Sequence, residues 1–273
     1  MSTRQNNSTT QSNDSTVKHS TVKHLIELLE EAISLIPQGP VAISFSGGVD
    51  STVLARLLED RARLYAVGML GSQDLDHAIK IADAHGWDIL PVVLTASDMD
   101  AILSHLVPLI RDPTPMNVNF HLPLFVASRS AVERIIVAGH GADEIFGGYD
   151  RYRRLTPEEF EKATRSDYKA LWEGDLEDAR NIVESTGHVL VTPYMFPTFA
   201  EAVLSLPYEE KMSDDGNKLA LRKIASALGL EEEAWRDKKA AQFGSKTSLL
   251  LKMCARERGI SEKELVDSYR SYI

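Results

Sequence analysis

The sequence predicts an α/β fold: a parallel sheet covered on both faces, followed by a mainly helical part. Three observations carry that expectation. From about residue 40 to about residue 155, strand-forming runs alternate with helix-period runs, and strands joined through helices are parallel. After Tyr149 the character changes to polar helical stretches. Between the first strand run and the first helix run lies a glycine-bearing turn, in the stretch AISFSGGVDSTVLARLL that starts at Ala42.

Each element has its own signal. Residues 1–20 are rich in Ser, Thr, Asn and Gln, which cannot bury enough surface to offset ordering entropy, so this tail is expected to be disordered and residues 21–273 to form the folded unit. Val22, Leu25, Ile26, Leu29, Ala32, Ile33 and Ile36 fall on one helical stripe, which Pro37, Gly39 and Pro40 end. VAISF reads as a buried strand and STVLARLLED as a helix. LYAVGML is a strand, DLDHAIKIADAHG a helix with a glycine stop, and DILPVVL a strand placed near an edge by Pro91. Residues 97–110 and the stretch LPLFVASRSA are helical, and RIIVAG is a strand. In the second part, about 156–273, PEEFEKATRSDYKALWEG, DLEDARNIVEST, NKLALRKIASALG, SKTSLLLKMCARERG and SEKELVDSYRSYI read as helices, and HVLVTPYMFP as a short extended segment.

Composition narrows the function. The net charge of −10 makes nucleic acid an unlikely partner, since counterion release needs a basic face. The single cysteine, Cys254, excludes a disulfide framework and a thiolate zinc site, and fits a reducing, cytoplasmic setting. No apolar run approaches the roughly 20 residues that span a bilayer, and the N-terminus lacks the apolar core of a secretory signal. The eight histidines show no metal-ligand spacing.

The turn SFSGGVDS carries the chemistry. In open parallel sheets ligands sit beyond the carboxyl ends of strands. Glycines let the backbone approach a ligand closely, and free N–H groups at a helix start favour an anion. Ser44, Ser46, Gly47, Gly48, Val49, Asp50 and Ser51 therefore make a candidate phosphate cradle. No Lys follows Gly48 and no G-x-G-x-x-G spacing is present, which excludes two common cradles. A carboxylate beside a polyphosphate needs a cation between them, so Asp50 predicts Mg²⁺ together with the nucleotide. A second strand end, in RIIVAGHGADEIFGGYDRY, brings Gly139 and Gly141 with Asp143 and Glu144 just beyond; Asp143 is a candidate second carboxylate for the cation.

SFSGGVDS resembles the S-G-G-x-D-S loop of the PP-loop ATP pyrophosphatases. GHGADEIFGGYDRY resembles the corresponding segment of the asparagine synthetase branch, and AWRDKKAAQFGS its R-x-K segment. The resemblance spans about residues 40–250. It implies a doubly wound five-stranded parallel sheet of the adenine nucleotide alpha hydrolase type. It also implies cleavage of ATP to AMP and pyrophosphate, with Mg²⁺ on Asp50 and Asp143, a carboxylate adenylated, and an amine attacking the adenylate. Lys238 matches the catalytic lysine, Arg236 stands two residues before it, and Glu144 is a further catalytic candidate. Two departures bear on the substrate. No cysteine precedes Cys254, so the chain is expected to use free ammonia or ammonia from a separate glutaminase partner. The E-x-R-x-P-F-L-D pattern is replaced by HVLVTPYMFP, which lacks the Glu, the Arg and the final Asp that would bind a small amino acid, so the resemblance implies aspartate or a related carboxylate without fixing which. A tRNA-modifying adenylating enzyme of the same superfamily, with Arg151, Arg153 and Arg154 as its basic patch, is the alternative.

Overall fold

In the computed structural model, which describes residues 9–213, 216–235 and 245–270, helix α1 spans Thr9–Ser34 and buries Leu25, Leu29, Ala32 and Ile33 on one face. The helix therefore takes in residues 9–20 of the stretch expected to lack order. Once an apolar stripe fixes a helix, each added residue adds a backbone hydrogen bond without a new nucleation cost.

Five strands follow, all parallel. β1 (Val41–Ser44), β2 (Ala62–Met69), β3 (Ile89–Leu94), β4 (Ile135–Val137) and β5 (Val189–Val191) lie in the order β3-β2-β1-β4-β5. The chain winds outward from β1 to β3, then returns to the other side of β1, so the sheet is doubly wound. Its switch point lies between the carboxyl ends of β1 and β4. β3 is an edge strand, as Pro91 predicts. The alternation of side chains along a strand divides the core in two. Val41 and Ile43 face one layer with Leu64, Ala66, Ile135 and Val137, while Ala42 faces the other with Tyr65, Val67 and Ile136.

The crossovers are α2 (Val49–Leu57), α3 (Gln73–His85), α4 (Met99–Leu106) and α5 (Pro115–Ser130). α5 begins seven residues before the stretch expected to be helical, because the Thr114 hydroxyl caps it by accepting from the Asn117 N–H and Pro115 opens its first turn. The five-residue α6 (Ala142–Phe146) follows β4. Beyond it come α7 (Pro157–Glu173), α8 (Asp175–Ser185), α9 (Pro197–Leu204), α10 (Tyr208–Lys211), α11 (Leu219–Ala227), α12 (Glu231–Ala234), α13 (Thr247–Glu257) and α14 (Glu262–Asp267). The second part is not purely helical, since it supplies the fifth strand. Of HVLVTPYMFP only Val189–Val191 pairs, with β4; a short 3₁₀ turn over Pro193–Met195 follows, where proline cannot donate to a ladder. Among the described residues, no helix is long and apolar enough to cross a membrane.

Candidate nucleotide site at the ends of β1 and β4

The glycine turn leaves β1 at Ser44 and enters α2 at Val49, as the sequence predicts. Gly47 is left-handed, with φ of 65°, a conformation glycine adopts without strain. The turn is held from within: the Ser46 N–H donates to the Ser51 hydroxyl (3.3 Å), which donates to the Gly48 carbonyl (3.1 Å). Thr52 adds a second hydroxyl to the same carbonyl at 2.9 Å. The Ser51 side chain is thus engaged in shaping the loop. Ser44 and Ser46 line a cleft together with Tyr65, Val67, Asp74 and Ser245.

The second strand end packs directly on the first. A β-carbon on Gly139 would stand 3.3 Å from Cβ of Asp50. From α6, Asp143 turns toward the same point. Between Asp50 and Asp143 lies a residue that the motifs do not mark. The Lys218 ammonium contacts Oδ1 of Asp50 at 2.6 Å and Oδ1 of Asp143 at 2.8 Å. Burial alone would push this ammonium down; the charges of Asp143 and Asp50 outweigh it and hold the group above the ordinary lysine value. Lys218 was expected inside a helix spanning NKLALRKIASALG. It instead precedes α11 in a left-handed conformation, φ 54° and ψ 33°. Asn217 fixes that turn by donating from Nδ2 to the Gly148 carbonyl at 2.6 Å. Gly148 must itself be bare, because a β-carbon there would collide with Oδ1 of Asp143 and Cε of Lys218.

Two tyrosines complete the setting. The Tyr194 hydroxyl, from the segment after β5, donates to the Asp50 carbonyl at 2.8 Å and fixes the backbone of the cradle acid. The Tyr149 hydroxyl donates to Oε1 of Glu144 at 2.5 Å. Glu144 is buried, and burial pushes its carboxyl up to about 7, against the opposing pull of the Tyr149 hydrogen bond. His140, between Gly139 and Gly141, is lowered to about 4, first by burial and then by the nearby His121. The structure thus brings together Asp50, Asp143 and the two glycine turns as expected, and adds Lys218, Tyr149 and Tyr194. Arg236 and Lys238 lie outside the described residues. The described residues on either side are anchored: Arg222 donates to the Ala234 carbonyl at 2.6 Å, and the Ser245 carbonyl accepts from the Met69 N–H at 3.1 Å. Of the basic patch, Arg151 pairs with Asp167 at 2.6 Å and Arg153 with Asp150 at 3.4 Å.

The arrangement is a doubly wound parallel α/β fold, with a glycine turn at the switch point and carboxylates from two strand ends. The family model for asparagine synthase matches residues 24–160 and 155–268, and the chain belongs to that family. A putative glutamine-hydrolyzing asparagine synthetase of Methanocaldococcus jannaschii is 29% identical over 266 residues, covering 82% of this chain and 49% of that protein. The root asparagine synthetase of Pisum sativum is 26% identical over 210 residues, covering 69% of this chain and 36% of that protein. The chain spans about half the length, or less, of these curated relatives. Among solved structures, an NMN synthetase from Francisella tularensis superposes with a TM-score of 0.46 at 12% identity, covering 94% of this chain and 88% of that one.

Proposed function

We propose that this chain is an ATP-dependent, AMP-forming amide ligase. It adenylates a small carboxylate, aspartate or a related acid, and passes the acyl group to ammonia. Family membership supports an ATP-using ligase. The observation that carries the finer reading is the convergence of Asp50, Asp143 and Lys218 beside the Ser46–Ser51 turn.

The turn's backbone N–H groups and the Ser46 hydroxyl bind the β- and γ-phosphates, which leave as pyrophosphate. Lys218 takes one oxygen of each carboxylate, so Oδ2 of Asp50 and of Asp143 is left for a divalent ion, and two hard oxygen donors around a shared point fit magnesium. When bound, magnesium offsets the negative charge of the polyphosphate. Lys218 keeps the two acids at a fixed separation and adds a permanent positive charge. Lys238, with Arg236 two residues before it in the sequence, supplies a compact positive charge to the α-phosphate as charge builds there. Glu144, poised near neutrality, accepts the proton that the attacking amine loses, with the Tyr149 hydroxyl orienting its carboxylate. Ammonia comes free or from a separate glutaminase subunit, and the site works in the cytoplasm. The pairing of Arg151 and Arg153 with neighbouring acids gives a tRNA-modifying role less support.

The test is a screen of carboxylates for acid-dependent pyrophosphate release from ATP in the presence of ammonium and Mg²⁺. AMP and pyrophosphate in equal amounts, dependent on both the acid and ammonium, are expected. Release of ADP would overturn the assignment of the bond cleaved.

A further inference from the structure

Away from the nucleotide site, α5 and α8 meet at a group of three side chains. His121 of α5 and Asp175 and Asp178 of α8 each offer one donor atom, and these atoms lie within 4.8 Å of one another. His121 is fully buried, and among the described residues neither of its ring nitrogens has a hydrogen-bond partner. Buried polar groups are almost always satisfied, so an imidazole with two idle nitrogens, one of them within 4.8 Å of an oxygen from each of two carboxylates, calls for a ligand between them.

Charge points the same way. Asp175, Glu177 and Asp178 crowd the first turn of α8 with Arg111 as the balancing cation. Arg111 donates from its backbone N–H (3.4 Å) and from Nε (3.1 Å) to Oδ1 of Asp178, and reaches Glu177 at 3.0 Å. Three carboxylates on one helix turn repel one another, and Arg111 supplies balancing charge to two of them. A dication at this point relieves that repulsion, while Arg111 orients Asp178 from behind.

We propose that His121, Asp175 and Asp178 form a binding site for a single borderline divalent cation that clamps α5 to α8. One imidazole nitrogen and two carboxylate oxygens favour Zn²⁺, Co²⁺ or Mn²⁺ over the all-oxygen preference of Mg²⁺, with water completing the shell. The Phe120 ring stands edge-on to both His121 (5.0 Å) and His140 (5.9 Å), so the clamp would lie beneath the loop that carries Gly139 and Gly141.

Titration of the metal-free protein with Co²⁺, in the absence of ATP, tests this through the visible d–d bands, with Zn²⁺ competition and an anomalous difference map of crystals grown with Zn²⁺. One saturable equivalent is expected, with its anomalous peak between α5 and α8. Asp175 is exposed, so Asp175→Asn should fold and should bind at least about tenfold more weakly, since even loss of an outer-sphere partner costs roughly that much. His121→Gln should lose the bands, while Asp50→Asn should keep them. Absence of saturable binding by the wild-type chain, unchanged affinity in Asp175→Asn, or loss of binding in Asp50→Asn would overturn the proposal.

Discussion

Replacing Lys218 by Met keeps the β-carbon and most of the apolar stem, one atom shorter, and removes the ammonium with its charge and its contacts to both acids. The left-handed backbone at this position costs both residues alike, so it cancels in the comparison. What remains is the loss of one partner from a largely buried ion cluster, which typically costs about 3–5 kcal/mol. The Lys218 side chain is 8% exposed, but those of Asp50 and Asp143 are 27% and 44% exposed, so water screens part of their repulsion. The lower end, about 3 kcal/mol, therefore applies. In a chain of this length each kcal/mol shifts the melting temperature by about 2–4 °C, so a fall of about 6–12 °C is expected. Differential scanning calorimetry at low salt, with and without millimolar MgCl₂, measures it. Mg²⁺ should restore more stability to Lys218→Met than it adds to the wild type, because the variant presents two bare carboxylates to the ion. A Lys218→Met melting point within 2 °C of wild type (about 1 kcal/mol or less), or an equal Mg²⁺ effect on both proteins, would refute the reasoning.

On the proposed role of Glu144 as the ionised base, kcat/KM should climb with pH and level off above about 7, and Glu144→Gln should abolish both the climb and most of the turnover. Because its folded carboxyl titrates above its unfolded value of about 4.5, stability should fall as pH rises from about 4.5 to 7, and urea titrations of Glu144→Gln should lack that fall. Lys211 is buried, donates to the Leu204 carbonyl at 3.1 Å, and is lowered to about 8, chiefly by burial. The unfolded chain then binds the extra proton between about pH 8 and 10.5, so stability should rise across that window, by an amount on the order of 3 kcal/mol, and Lys211→Met should flatten it. Lys238→Ala should lower kcat on the order of 10²-fold with little change in ATP affinity, while Lys239→Ala serves as a near-silent control; equal losses in steady-state assays of the two would remove Lys238 from the reaction.

The sheet was legible because its strands are short apolar runs between punctuating glycines and prolines. Pro91 marked an edge because only an edge tolerates a missing donor. The positions of the glycine turn and of Asp143 were legible because each sits within a few residues of a strand end, where local spacing carries the geometry. Lys218 was not. It meets Asp50 across 168 residues, and its own neighbourhood reads as the start of an amphipathic helix. The faint local signal is the Gly216–Asn217 pair before it, which permits a tight turn without announcing what the turn delivers. Tyr194 was hidden in the same way, inside HVLVTPYMFP, whose missing charges drew attention to the substrate and away from its hydroxyl. His121 and Asp178 are likewise 57 residues apart, so no ligand spacing could register in the chain.

The late arrival of β5 has a consequence for the nascent protein. β4 is complete at Val137, but its outer edge stays unpaired until Val189–Val191 has emerged, some fifty residues later. At about 5–20 residues per second, a ribosome leaves that edge open for roughly 3–10 s. During that interval an apolar strand, Ile135–Val137, offers its backbone to any passing chain. Slow translation of residues 138–188 should therefore favour aggregation over folding, and synonymous codons that speed this stretch should raise the soluble yield.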